Sequence, residues 1–77
     1  MFKLELPPQF TGWQWGTNGM QLQLSGVSGH TIEIHASSNL TAWALLATLT
    51  NETGQVAYTD LEATNHTRRF YRAYQFP

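Results

Sequence analysis

Period-two alternation of apolar and polar residues, seven short strand patterns, and turn signals about every ten residues predict the fold class. They point to an all-β chain, a small antiparallel β-sandwich or partly open barrel of about seven short strands. With 77 residues, the chain fits a single domain spanning 1–77.

The elements follow in order. Phe2, Leu4 and Leu6 alternate with Lys3 and Glu5 and predict a first strand, ended by Pro7-Pro8 because proline has no N–H for a ladder. Whether that strand pairs within its own chain or with another copy is open from sequence. A second strand is expected at about Phe10 to Gly16. Asn18-Gly19 then predicts a tight hairpin, since both residues accept the positive φ of a type I′ turn. Met20, Leu22 and Leu24 share one face of a third strand. Ile32, Ile34 and Ala36 share one face of a fourth, over His30 to Ala36, with Thr31, Glu33 and His35 on the other.

Residues 42–50 (AWALLATLT) have a helix-compatible composition. The turn Asn51-Glu52-Thr53-Gly54 that follows favours a strand there. Gln55 to Thr59 forms the next strand, Asp60 to Thr67 a polar connection holding one helical turn, and Arg69 to Phe76 the last strand. The expected core comprises Leu22, Leu24, Ile32, Ile34, Trp43, Leu46, Tyr58 and Phe70. Trp43 is expected to be its anchor, lying under a turn with Leu40 beside it.

Composition limits function. A chain this short is stable by about 4–10 kcal/mol and has little to spare for a strained, highly charged active site. Charged residues are 12% of the chain and the formal net charge is −1, which argues against nucleic acid as a partner. Without cysteine there is neither a disulfide framework nor a thiolate metal site. No apolar run is long enough to insert in a membrane. The first residues alternate and carry an acid, so they do not read as a signal peptide; any export signal is expected to have been removed or to lie in a larger parent chain.

One stretch carries a resemblance. Gly29-His30-Thr31-Ile32-Glu33-Ile34 leads to Ser37-Ser38-Asn39-Leu40-Thr41-Ala42-Trp43, then to Tyr58-Thr59-Asp60 and Arg68-Arg69-Phe70-Tyr71-Arg72-Ala73. This resembles a small fibronectin type III/immunoglobulin-like module near the C-termini of large secreted bacterial proteins, notably of Verrucomicrobia and Planctomycetes. It departs from that pattern at Ile32, where an aromatic is common, and at Asn39, where Asp is common. The resemblance implies an extracellular or cell-surface location and an accessory, adhesive or spacer role. It carries over no catalytic residue.

Each candidate site has an ordinary structural role as its rival. Trp13 and Trp15 lie on one strand face and could stack sugar rings. A two-residue loop at Asn18-Gly19 would pair Trp15 with Leu22 and Trp13 with Leu24, which places both indoles in the core. Arg69 and Tyr71, sharing a face in the arginine cluster, could bind an anion. Alternatively one arginine pairs with Asp60 or Glu62 and fastens the polar connection. His30, His35 and His66 are too scattered to ligate a metal. No cofactor motif or catalytic constellation occurs, so no enzyme is expected. Asn39, Asn51 and Asn65 each begin an acceptor triplet for glycosylation and mark three turns expected to be exposed.

Two functions follow as expectations. One is a non-enzymatic accessory or adhesion module that binds a polysaccharide or a neighbouring protein surface. The other is a structural subunit that forms homo-oligomers or decorates a surface filament or phage capsid, with a virion surface as the alternative location. Met1 opening directly into a strand, and Pro77 following the last one, favour a small autonomous protein.

Overall fold

The computed structural model describes residues 8–77; the strand expected over Phe2–Leu6 lies outside them. The described residues form six strands: β1 (Gln9–Trp15), β2 (Met20–Ser25), β3 (Thr31–Ser37), β4 (Ala44–Thr50), β5 (Gln55–Asp60) and β6 (Phe70–Phe76). One 3₁₀ turn, Ala63–Asn65, interrupts the polar connection before β6. Two antiparallel sheets result, ordered β1-β2-β5 and β4-β3-β6.

The central strands supply the centre of the sandwich. Leu22 and Leu24 of β2 face Ile32 and Ile34 of β3, and all four are fully buried. Leu46 and Leu49 from β4, Val56 and Tyr58 from β5, and Tyr71 and Ala73 from β6 pack around them. The Tyr58 hydroxyl reaches across the sheets to the Leu46 carbonyl at 3.5 Å. Strict alternation in β2 and β3 produces this layer, since residues two apart share a face.

Two bulges adjust the alternation. In β1 the pairing passes from Phe10↔Leu24 to Gly12↔Gln23, leaving Thr11 as an extra residue. Phe10 and Trp13 are an odd number of residues apart, and the bulge puts both on the Leu22 side. In β4 the pairing passes from Ile34↔Ala47 to His35↔Leu45, so Leu46 can turn inward while Leu45 stays outside.

Trp43 is not the core anchor. Ala44 pairs with inward-facing Ala36, so its neighbours Trp43 and Leu45 fall on the outer face. Trp43 is half-buried there, and Leu40 is exposed rather than packed beside it. Phe70 is likewise half-buried and outside the core cluster, because β6 turns Tyr71 and Ala73 inward.

The turns are closed by side chains. Ser37 Oγ accepts the amides of Asn39 and Leu40 at 3.1 and 2.9 Å, and Asn39 Oδ1 accepts those of Thr41 and Ala42, each at 2.9 Å. Asn51 contradicts the expected exposed turn. It is fully buried, accepts the Gly54 amide at 2.8 Å and donates to the Val27 carbonyl at 3.2 Å. Asn39 and Asn65 are exposed, as expected.

The sandwich has two distinct poles. Gln9 pairs with Ser25 at the first, where Gln75 Oε1 accepts the Val27 amide at 2.9 Å. Met20 pairs with Asp60 at the second, which also carries the start of β6.

Candidate functional site

A concavity among the described residues opens between β1 and β6 towards the second pole. It encloses about 540 Å³. Phe10, Trp13, Met20 and Leu22 line the side belonging to the first sheet, and Arg69, Phe70 and Tyr71 the other. It exists because β1 and β6 are the last described strands of their sheets on the same side of the sandwich.

Trp13 lines this opening, and neither it nor Trp15 belongs to the core. Trp13 is 67% exposed and Trp15 61%. The connection is Gly16–Gly19, closed by the Gly16 amide on the Gly19 carbonyl at 2.7 Å, and not a two-residue loop. Trp15 therefore pairs with Met20, and Trp13 with Leu22. A slip of two residues keeps the expected face. Burial fails for another reason: among the described residues β1 is the last strand of its sheet, and its two indoles stay mostly exposed.

Arg69 and Tyr71 are not a free anion-binding pair. Both are committed to Asp60, the last residue of β5. Arg69 Nε donates to Asp60 Oδ2 at 2.8 Å and Nη2 to Oδ1 at 3.2 Å, while the Tyr71 hydroxyl donates to Oδ2 at 2.8 Å. The Glu62 amide adds a bond to Oδ1 at 3.1 Å. Asp60 is buried, so one carboxylate joins the first sheet, the polar connection and the last strand of the second sheet.

Burial alone would raise the Asp60 pKa. The hydrogen bonds from Arg69, Tyr71 and the Glu62 amide, with the guanidinium charge, outweigh that and hold it below the ordinary carboxylate value. Tyr71 is pushed up to about 12, first by burial and then by its bond to Asp60 and the adjacent negative charge.

A second surface, missed from sequence, lies on the outer face of the other sheet. The Arg72 guanidinium sits 4.2 Å from the Trp43 ring centre and 5.3 Å from that of Tyr74. His35 meets Tyr74 edge-on at 5.4 Å, and its Nε2 is 3.4 Å from Glu33 Oε1. Pairings His35↔Arg72 and Glu33↔Tyr74 build this row. Period-two spacing of Arg72 with Tyr74, and of Glu33 with His35, was the signal for most of it. Trp43 joins only through the parity set across β3 and β4.

Among the described residues, no three His, Cys, Asp or Glu side chains converge to hold a metal. Comparisons with protein families, curated proteins and solved structures find no match.

Proposed function

We propose that the chain is a non-enzymatic, extracellular accessory module that binds a neighbouring protein by accepting an extended strand between β1 and β6. The observation that carries this reading is the pairing of an apolar opening with two sheet edges. Main-chain groups at an edge supply affinity to an incoming strand, and an adjoining apolar cleft takes its alternate side chains. The opening suits a sugar less well. A sugar requires free hydrogen-bonding groups beside a flat ring, and the polar side chains here, Arg69 and Tyr71, are spent on Asp60. Depletion of charge and enrichment in aromatics is also the composition of a protein interface.

Amide chemical-shift mapping tests it. A peptide of alternating Val and Thr should move the amides of Phe70 to Ala73 and of Phe10 to Trp13 in a saturable way. Xylan and cellulose oligosaccharides should leave them in place. The opposite pattern would refute the strand-accepting site. A second reading, polysaccharide binding at the outer face, is supported by the Trp43–Arg72–Tyr74 row. It expects those oligosaccharides to move Tyr74 and Arg72 amides instead.

A further inference from the structure

We propose that the outer face of the sheet β4-β3-β6 binds an acidic sugar, with the Arg72 guanidinium taking the carboxylate of a uronic acid residue. This rests on the second reading above, the polysaccharide site, and is independent of the strand-accepting opening.

Among the described residues, Arg72 is a cation without a counter-ion. Its guanidinium lies 4.2 Å from the Trp43 ring centre and 5.3 Å from that of Tyr74, yet it makes no hydrogen bond and no ion pair there. Arg69 shows the contrast, with its Nε on Asp60 at 2.8 Å. Only Nε of Arg72 is sealed without a partner, so the two Nη groups reach solvent. A guanidinium held against an indole is fixed in place, and its open end is a fork that matches a carboxylate with two parallel hydrogen bonds.

The neighbours select the ligand. Glu33 stands opposite Tyr74 in the ladder, its side chain 31% exposed, with only His35 Nε2 nearby at 3.4 Å. An acid this close disfavours a doubly charged phosphate and accepts from a hydroxyl. The Tyr74 hydroxyl makes no hydrogen bond among the described residues and adds a second polar partner. A uronic acid carries both halves of the match, one carboxylate for Arg72 and ring hydroxyls for Glu33 and Tyr74. An Asp or Glu side chain of a protein partner offers the carboxylate without those hydroxyls and leaves Glu33 unmatched. Tyr74 is 46% exposed and Leu45, paired with His35, is 55% exposed, which gives the C–H face of a pyranose apolar surface to rest on. The opening between β1 and β6 has no such set, since its polar side chains are spent on Asp60.

Amide chemical-shift titration of the full chain tests this, with oligogalacturonate, its methyl ester and polyglutamate as probes. Oligogalacturonate should move the amides of Glu33, His35, Arg72 and Tyr74 saturably and leave Phe10 to Trp13 in place. The methyl ester keeps the ring and removes the charge, so it should bind at least about tenfold more weakly, the loss of one charge-assisted hydrogen bond. Arg72→Met keeps an apolar stem beside Trp43 and should lose the same factor for the acid, but not for the ester, with an unchanged far-ultraviolet spectrum. The comparison of acid with ester on the wild type needs no substitution and holds even if that variant is unstable. Salt at about 1 M, where the Debye length is about 3 Å, should weaken binding of the acid and spare the ester. Equal affinity for acid and ester overturns the proposal and leaves a neutral polysaccharide site standing. Polyglutamate binding as tightly as oligogalacturonate overturns it in favour of an acidic protein partner. If no sugar, acidic or neutral, moves these amides, the proposal and the second reading fall together, and the strand-accepting opening is untouched.

Discussion

Replacing Asp60 with alanine should be among the most damaging single changes outside the apolar core. The Asp60 side chain is 2% exposed, and its carboxylate accepts from Arg69 twice, from Tyr71 and from the Glu62 amide. Its removal strands a guanidinium whose side chain is only 14% exposed, along with a half-buried phenol. Breaking one side of a buried pair costs about 3–5 kcal/mol, against about 0–1 kcal/mol for an exposed one. A domain of this size is stable by about 4–10 kcal/mol, so Asp60→Ala would consume a third or more of that. With a urea slope of about 1 kcal/mol/M, the midpoint should fall by about 3 M or more. Equilibrium unfolding followed by tryptophan emission and far-ultraviolet dichroism measures it. A loss below about 1 kcal/mol would show that Asp60 and Arg69 behave as a solvated pair, and the view of this carboxylate as the tie between sheets would be wrong.

The same group sets the acid limit. Its folded pKa lies below its unfolded value near 3.8, so its stabilisation is present above that value and is lost as pH falls through the folded one. Wild type and Asp60→Asn should therefore converge in stability as pH falls through the lowered folded-state value of Asp60, and failure to converge would assign acid sensitivity elsewhere. Tyr71 runs the other way. Raised to about 12, it contributes fully below pH 10 and loses the contribution as pH climbs towards 12, so absorbance titration should find a phenol with its midpoint near 12 that Tyr71→Phe removes. Asn51→Ala removes a fully buried side chain that donates to the Val27 carbonyl and accepts the Gly54 amide, and should cost about 1–3 kcal/mol in urea unfolding. Leu40 has a φ of 66° and is 57% exposed, so Leu40→Asn should be neutral or stabilising by up to about 1 kcal/mol in the same measurement.

The layered β architecture was legible because it depends on local periodicity. Ile32 and Ile34 are buried, and Thr31, Glu33 and His35 between them remain half-exposed, as alternation dictates. The pairing of an arginine with Asp60 was also within reach, since one carboxylate and one arginine flank a short polar connection. Burial of the aromatics was not. Trp13 faces the expected way, yet whether an inward-facing ring is covered depends on how far the opposite sheet extends. Trp43 and Leu46 were settled by a bulge that no residue type in 42–50 announces. Asn51 looked like a turn residue and is one, but its side chain is buried and bonded to the Val27 carbonyl, 24 residues away in the chain.

The placement of Gln9 and Phe76 at one pole has a mechanical consequence. Gln9 lies opposite Ser25, and Gln75 clasps Val27 immediately beyond it. A pull between these points loads the β1–β2 and β3–β6 ladders from one end only, so their hydrogen bonds would break in succession, like a zipper, instead of resisting together in shear. Joined through both points, the module would hang as a pendant from its neighbours and would make a poor link in a taut chain.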